Sequence, residues 1–262
     1  MDAEQRSGRE IRLLVLVIGV AVAVLLVLAR FRFPAVDLSA NPQTPGPLER
    51  LAARATFDDL ASTLADVTAR VTPAFVVAAI EKIPDKPERK GVPPAPAAST
   101  RRWVPALRVR PEFLLIYVPA GMRVVAIEGL SASPQVAVAD EGRELALVPS
   151  PLAGAPTANF AGAATDFSGA TFVVAVEGAV GGPALRPVFV PRTDALFESR
   201  WSNTLLLVGG EPDLHAGAFA FTLDGRFIGL AVREDAAVAI VPAAALDRAV
   251  TELVNRGSGG QR

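Results

Sequence analysis

The stretch "LHAGAFAFTLDGRFIGLAV", residues 214–232, decides the fold class of this chain. Apolar residues alternate with others on both sides of Asp224-Gly225, a pair typical of the tight turn in a β-hairpin. Short apolar segments of the same kind, separated by Gly, Pro and Asp turns, fill the chain from residue 103 to residue 242. Many short strands at this spacing predict an all-β sandwich or barrel.

Two short helices are expected to frame the strands. The first begins after Thr56, which forms a capping box with Asp59, and Pro73 ends it before a strand at residues 74–81. The second runs from Pro242 to Gly257 and closes the chain. Apolar stripes at helical spacing support both helices: Phe57, Leu60, Leu64, Val67 and Val71 in the first, and Leu246, Ala249, Val250, Leu253 and Val254 in the second.

Composition excludes several classes of function. The chain has 26 basic and 27 acidic residues, a balance that argues against a nucleic-acid partner. It has no cysteine, so disulfides, thiol catalysis and cysteine-based metal sites are excluded. Its single histidine, His215, has no second metal ligand at a useful spacing, and "VEGAVGG" (176–182) lacks the lysine of a phosphate-binding loop. No cofactor is expected.

A membrane anchor is predicted at the start of the chain. "LLVLVIGVAVAVLLVLA", Leu13–Ala29, is 17 apolar or glycine residues long, enough for a helix of about 25 Å. A cleaved signal peptide is the alternative, but "ARFRFP" follows where a cleavage site would be expected. Three arginines before the span and two after it favour a cytoplasmic N-terminus. The bulk of this single-pass protein would then be extracytoplasmic, and periplasmic in a diderm bacterium.

Composition also divides the chain into regions. Residues 1–33 form a cytoplasmic tail and the anchor, and residues 34–56 a proline-containing linker. Strand groups at 57–150 and 165–256 suggest two barrels, the second with the closing helix, before a tail at 257–262. Residues 82–100 hold five prolines and every lysine, which predicts an exposed loop; a docking patch is the alternative reading.

Three stretches and the closing helix, in this order, resemble the trypsin-like serine proteases, and HtrA-type members most of all. The stretches are "FDDLASTLADVTARVTPAFVVAAIE" (57–81), "EGRELALVPSP" (141–151) and "AGAFAFTLDGRFIGLAV" (216–232). The resemblance covers residues 57–256 and implies a trypsin-like double β-barrel. The chain ends at Arg262, so the PDZ domain that often follows in HtrA-type proteins is not expected.

The resemblance also implies positions for a catalytic triad. The nucleophile position holds Ala216, the aspartate position holds Glu144, and the glycine two residues before the nucleophile is replaced by Leu214. No histidine occurs near residues 114–119, where the family has one, and His215 instead adjoins the nucleophile position. A triad needs a hydroxyl, an imidazole and a carboxylate. The triad is therefore expected to be degenerate and the domain catalytically inactive.

The leading hypothesis is a membrane-anchored pseudoprotease that binds or scaffolds a protein or peptide partner. Its possible cleft residues are Leu214, His215, Gly217 and Phe219. One alternative is a divergent serine endopeptidase with displaced catalytic residues, although Ser199 and Ser202 have no imidazole placed with them. Another is an unrelated bitopic β-domain component of an envelope assembly. The sequence leaves the oligomeric state open.

Overall fold

A computed structural model describes residues 47–83, 101–131, 133–151, 154–163, 171–210, 213–235 and 237–259. The chain forms two compact units, residues 1–56 and residues 57–262, and both β-sheets belong to the second. The predicted anchor, Leu13–Ala29, and residues 84–100 of the lysine-containing loop lie outside the described residues. Within the described ranges, neither helix is both long and apolar enough to cross a membrane.

The first sheet contains six antiparallel strands in the order β4-β1-β2-β3-β6-β5. Its strands are β1 (Phe75–Lys82), β2 (Arg102–Arg110), β3 (Phe113–Tyr117), β4 (Met122–Ile127), β5 (Val138–Asp140) and β6 (Leu145–Pro149). Nearly all of β1, β2 and β3 is buried, as their continuous apolar runs require. The sheet is open, because its outer strands β4 and β5 each pair on one side only among the described strands.

The second sheet contains seven strands in the order β8-β7-β11-β12-β13-β10-β9. Its strands are β7 (Thr171–Ala179), β8 (Gly182–Val190), β9 (Thr193–Glu198), β10 (Asn203–Val208), β11 (Phe219–Thr222), β12 (Phe227–Glu234) and β13 (Ala237–Pro242). The predicted hairpin is β11–β12: Gly225 takes a φ of +80° and the Thr222 N–H donates to Arg226 O over 2.9 Å. The chain is mostly β, as predicted, and its strands form two sheets.

The two helices differ from the prediction in their bounds. Helix α1 is Pro47–Val71, so residues 47–56 of the predicted linker are helical and the predicted capping box lies inside the helix. Strong helix formers fill "PLERLAARA", and Pro47 is compatible with a first helical turn. Pro73 ends α1 as predicted, within a 3₁₀ turn. Helix α2 is Ala243–Gly259 and packs the predicted apolar stripe into the core.

An aromatic cluster joins the two sheets. Phe75 of β1 lies edge-on to Phe219 and Phe221 of β11, with ring centroids 5.4 and 6.0 Å apart. Phe227 of β12 lies 5.1 Å from Phe221 and 5.6 Å from Phe160, which belongs to the segment that connects the sheets. Edge-to-face and tilted ring pairs at these distances add specific attraction to apolar burial. This cluster fixes how the sheets face each other.

The sheets also touch through their backbones. Gly178 of β7 lies so near Val104 of β2 that a Cβ atom on Gly178 would be 2.5 Å from the Val104 backbone. Only glycine allows such an approach. The cleft described below begins directly beside this contact.

Candidate functional site: a cleft between the sheets

Two cavities flank Ala216, where the end of the first sheet faces the second. The larger has a volume of about 610 Å³ and the smaller about 330 Å³. Ala216, His215 and Arg102 line both. Arg102 separates the cavities, because its Nη2 donates a hydrogen bond of 3.1 Å across the cleft to Ala216 O. The cleft is therefore open on both sides of this residue.

The turn that carries Ala216 is held by backbone hydrogen bonds. Gly217 has a φ of +96°, and its N–H donates to Ala231 O over 2.8 Å. Leu214 does not need the positive φ of a glycine: the described non-glycine residues with positive φ are Glu144, Ser202 and Asp235. The Leu214 side chain packs into an apolar cluster of the second sheet and is 2% exposed. The bulky residue is thus accommodated by burial.

Tyr117, at the end of β3, lies opposite this turn. A Cβ atom on Gly217 would be 3.2 Å from Cδ1 of the Tyr117 ring, and the side chain is almost fully buried. The hydroxyl of Tyr117 donates to Glu144 Oε2. A phenol therefore stands between the Ala216 turn and the carboxylate of Glu144.

Glu144 is held by both its backbone and its side chain. Its carbonyl accepts from the Val118 N–H over 2.7 Å, and its Oε1 accepts from the Ala120 N–H over 2.8 Å. Its φ of +56° is in the left-handed region, which costs a non-glycine residue about 1–3 kcal/mol. The hydrogen bonds to Tyr117, Val118 and Ala120 offset this strain.

The hydroxyl of Tyr117 keeps its proton in this hydrogen bond. Burial, and then the hydrogen bond and negative charge of Glu144, raise the pKa of Tyr117 well above its usual value near 10. The phenol is therefore protonated throughout the physiological range. It can donate a hydrogen bond to Glu144, but it cannot take a proton from a nucleophile as an imidazole does.

His215 makes its contacts elsewhere. Its Nδ1 lies 3.0 Å from Glu177 Oε1 and 3.3 Å from Arg186 Nη2, and its side chain is 61% exposed. Arg186 also contacts Glu177 over 2.8 Å and pairs with Asp213. Burial alone would raise the pKa of Glu177, but hydrogen bonds from Arg186 and His215 lower it below the usual range. The imidazole is thus part of an ion-pair cluster on the rim.

Comparisons with known proteins identify the fold. No known family profile matches the sequence, and no curated protein sequence is similar to it. A substituted form of the HtrA-type protease AlgW with a decapeptide matches with a TM-score of 0.54 at 14% identity, over 74% of this chain and 67% of that chain. The chain has the fold of the HtrA-type proteases. At this identity the likeness shows the fold alone.

Two further structures are similar. The same substituted form of AlgW with a tripeptide gives a TM-score of 0.51 at 16% identity, over 74% of this chain and 64% of that chain. An inactive form of the Rv3671c protease gives 0.48 at 15% identity, over 71% of this chain and 92% of that chain. This chain therefore spans about two thirds of the AlgW chain.

Within this HtrA-type fold, the structure brings together most of the residues selected from the sequence. Ala216, Glu144, Leu214 and His215 line the larger cavity, and Gly217 lines the smaller. Phe219 was wrongly assigned to the cleft: it is 0% exposed, because it fills the space between the sheets.

Sequence reasoning missed several side chains of the site, and four of them are polar groups that can donate a hydrogen bond. Tyr117, Arg102, Arg200 and Arg233 all line the larger cavity. Tyr117 could have been selected from the sequence. It is the chain's single tyrosine, and it ends the strand where the family histidine was expected. The arginines had no such signal, since arginine is the chain's common basic residue and their approach to the cleft depends on sheet packing.

The remaining polar residues have structural partners. Ser202 has a φ of +46°, and its Oγ donates to Ser199 O over 3.3 Å at the end of a short 3₁₀ turn. Asp140 is bound by Arg256 at 2.7 Å and Arg143 at 3.6 Å. In the part of the chain that the structure describes, no group of three or more potential ligands could hold a metal ion.

Proposed function

We propose that this chain is a membrane-anchored, catalytically inactive trypsin-like domain that binds an extended segment of a protein partner in the cleft beside Ala216. One observation carries the proposal. At the mouth of the cleft, the methyl group of Ala216 and the phenol of Tyr117 face the carboxylate of Glu144. A working triad would need a hydroxyl and an imidazole at the first two positions.

The chemistry of these groups supports inactivity. The Ala216 methyl group has no lone pair with which to attack a carbonyl carbon. The phenol of Tyr117 is a donor to Glu144, and its raised pKa prevents it from acting as a general base near neutrality. His215 contacts Glu177 and Arg186 instead of this pair.

Binding requires less than catalysis. An extended peptide can be held by backbone hydrogen bonds and side-chain pockets, neither of which needs a nucleophile. The larger cavity, about 610 Å³, falls within the range of ligand-binding clefts. Its lining offers both hydrogen-bond donors, such as Arg102 and Arg233, and apolar surface, such as Val238.

The membrane part of the proposal rests on the apolar run Leu13–Ala29. An anchor of this kind would hold the domain near other membrane proteins and raise their effective concentration. We propose that the domain faces the extracytoplasmic side, as the arginine distribution favours.

Labelling with a fluorophosphonate probe tests the absence of activity. We expect no labelling of the purified full chain and none of the Ala216→Ser variant, because a serine there would still lack an imidazole. Trypsin serves as the positive control. Labelling of the natural chain would overturn the proposal, and Ser199→Ala and Ser202→Ala variants would then locate the reactive serine.

Site-specific photocross-linking in membranes tests the binding role. A photoreactive amino acid in place of His215, which lines both cavities, should form a discrete adduct with a partner. The matched control replaces Arg192, whose side chain is 75% exposed and which lines neither of these cavities. Adducts from both positions alike, or from neither, would contradict binding in the cleft.

A further inference from the structure

A third cavity lies in the first sheet, on the far side of Glu144 from Ala216. Its volume is about 430 Å³, and its lining is mainly apolar. It shares only Pro119 and Glu144 with the larger cavity of the cleft. It is therefore a separate site.

Both outer strands of the first sheet line this cavity. Met122 and Val124 come from β4, and Ala139 comes from β5. These strands lie at opposite ends of the sheet order, so the sheet curls until its two edges face the same space. A bulge opposite Ala79 and Ile80 of β1 contributes, because bulges bend a strand and increase its twist.

The edges and the floor of the cavity have different properties. An outer strand presents a row of backbone N–H and C=O groups that a further strand can use. Among the described strands, neither β4 nor β5 has a partner on its outer side. The floor is apolar: Val118, Met122 and Val124 are partly buried against the apolar cluster inside the first sheet. An occupant therefore needs backbone hydrogen-bonding groups and apolar side chains.

Two large apolar residues are exposed at the rim of this cavity, which also carries the charged residues Arg123 and Glu141. Ile83 is 48% exposed and Val136 is 43% exposed, and both line the cavity. Large exposed apolar residues that border one apolar cavity are typical of a binding site. Ile83 follows β1, the neighbour of β4, and Val136 lies two residues before the start of β5.

We propose that an extended segment of a partner protein inserts between β4 and β5 and completes the first sheet, with apolar side chains at alternate positions filling this cavity. The alternation follows from strand geometry, in which every second side chain points to the same face. Segment 84–100, which follows Ile83 in the sequence, is a poor occupant, because its five prolines cannot donate to a strand ladder. The site does not depend on the function proposed for the Ala216 cleft.

Selection of random displayed heptapeptides on the full chain in lipid nanodiscs tests the proposal. We expect enrichment of sequences with apolar residues at every second position. The affinity of a selected, fluorescently labelled peptide should fall at least tenfold in a Val136→Asp variant, because a carboxylate at the rim disfavours apolar burial. Hydrogen exchange of the β4 amides should slow when the peptide is bound.

Phe197→Asp is the matched control. Phe197 is a 69% exposed apolar residue on β9, an outer strand of the other sheet. Peptide affinity should remain within twofold of the unsubstituted chain in this variant. Equal losses in both variants, or no enrichment that depends on Val136, would overturn the proposal.

Other occupants give different results. Displacement of the peptide by a medium-chain fatty acid, without slower exchange in β4, would assign the cavity to an acyl chain and overturn the proposal. Self-association that Val136→Asp abolishes would assign it to a second copy, also against the proposal. Cross-linking of the peptide from Val136 but not from His215 separates this site from the cleft.

Discussion

Phe219 of the inter-sheet core and Ala216 of the cleft are three residues apart along the chain, yet their surroundings differ in burial and polarity. Phe219 is completely buried in a cluster of aromatic rings that join both sheets. Ala216 lies beside arginines, a histidine and a carboxylate around cavities open to solvent. The core requires only apolar side chains of suitable volume, whereas the chemistry of the cleft depends on particular atoms. The fold can therefore tolerate replacement of the residues at the mouth of the cleft.

The largest effect is expected from the core. Phe219→Ala should lower the free energy of unfolding by about 3–5 kcal/mol, because it removes a buried ring and leaves a cavity. Urea denaturation of the purified chain measures this change. Phe197→Ala, at a 69% exposed position, is the control and should shift it by no more than about 0.5 kcal/mol. Similar effects of the two substitutions would contradict the assigned inter-sheet packing.

A smaller effect is expected at the cleft. Tyr117→Phe removes the hydroxyl that donates to Glu144, and it should lower the free energy of unfolding by about 1–3 kcal/mol. A double-mutant cycle with Glu144→Gln, followed by urea denaturation, should give a coupling of at least about 0.5 kcal/mol. Additive effects would mean that these side chains do not interact.

Alkaline titration tests the Tyr117–Glu144 hydrogen bond without a substitution at either residue. Because Tyr117 is the only tyrosine, tyrosinate absorbance reports its ionisation alone. The midpoint should lie above pH 10 in the folded chain and near 10 in denaturant, and Glu144→Gln should lower the folded midpoint. The folded state holds this proton more tightly, so its stability contribution is complete below pH 10 and declines above it. A folded midpoint at 10 would rule out the buried hydrogen bond.

The smallest effect on the free energy of unfolding is expected at the rim of the Ala216 cleft. His215 is 61% exposed, so His215→Ala should change the free energy of unfolding by less than about 1 kcal/mol. Glu177 has a lowered pKa, so its contribution is present above its usual value of 4.5 and is lost as the pH falls through the lowered value. Urea denaturation near pH 7 and near pH 3 should show a weaker acid dependence in Glu177→Gln. An unchanged dependence would exclude this contribution.

The sequence predicted the parts of the fold that obey local rules. Short apolar segments between turns predicted the strand-rich region from residue 103 to residue 242, and Asp224-Gly225 located the β11–β12 turn. Strand β9 has no clear sequence signal, because "TDALFE" is partly exposed along its length and lacks a clear alternation. The start of α1 was misplaced, because a capping signal inside a helix is indistinguishable in sequence from one at its end.

The candidate site was predictable only where the resemblance supplied a position. Ala216 and Glu144 were selected in this way, and they line one cavity. The Tyr117–Glu144 hydrogen bond joins residues 27 positions apart and depends on the left-handed backbone of Glu144, which no local pattern indicates. The cavity between β4 and β5 depends on the curl of a whole sheet, which the sequence does not encode at any single position.

The contact between Gly178 and Val104 sets the spacing of the two sheets beside the cleft. Backbone atoms meet there, so the two sheets cannot approach further when something binds between them. The width of the cleft is consequently a fixed dimension that side-chain rearrangement cannot reduce. Under the proposed binding role, a ligand would have to match this width, because the sheets cannot close around a smaller molecule.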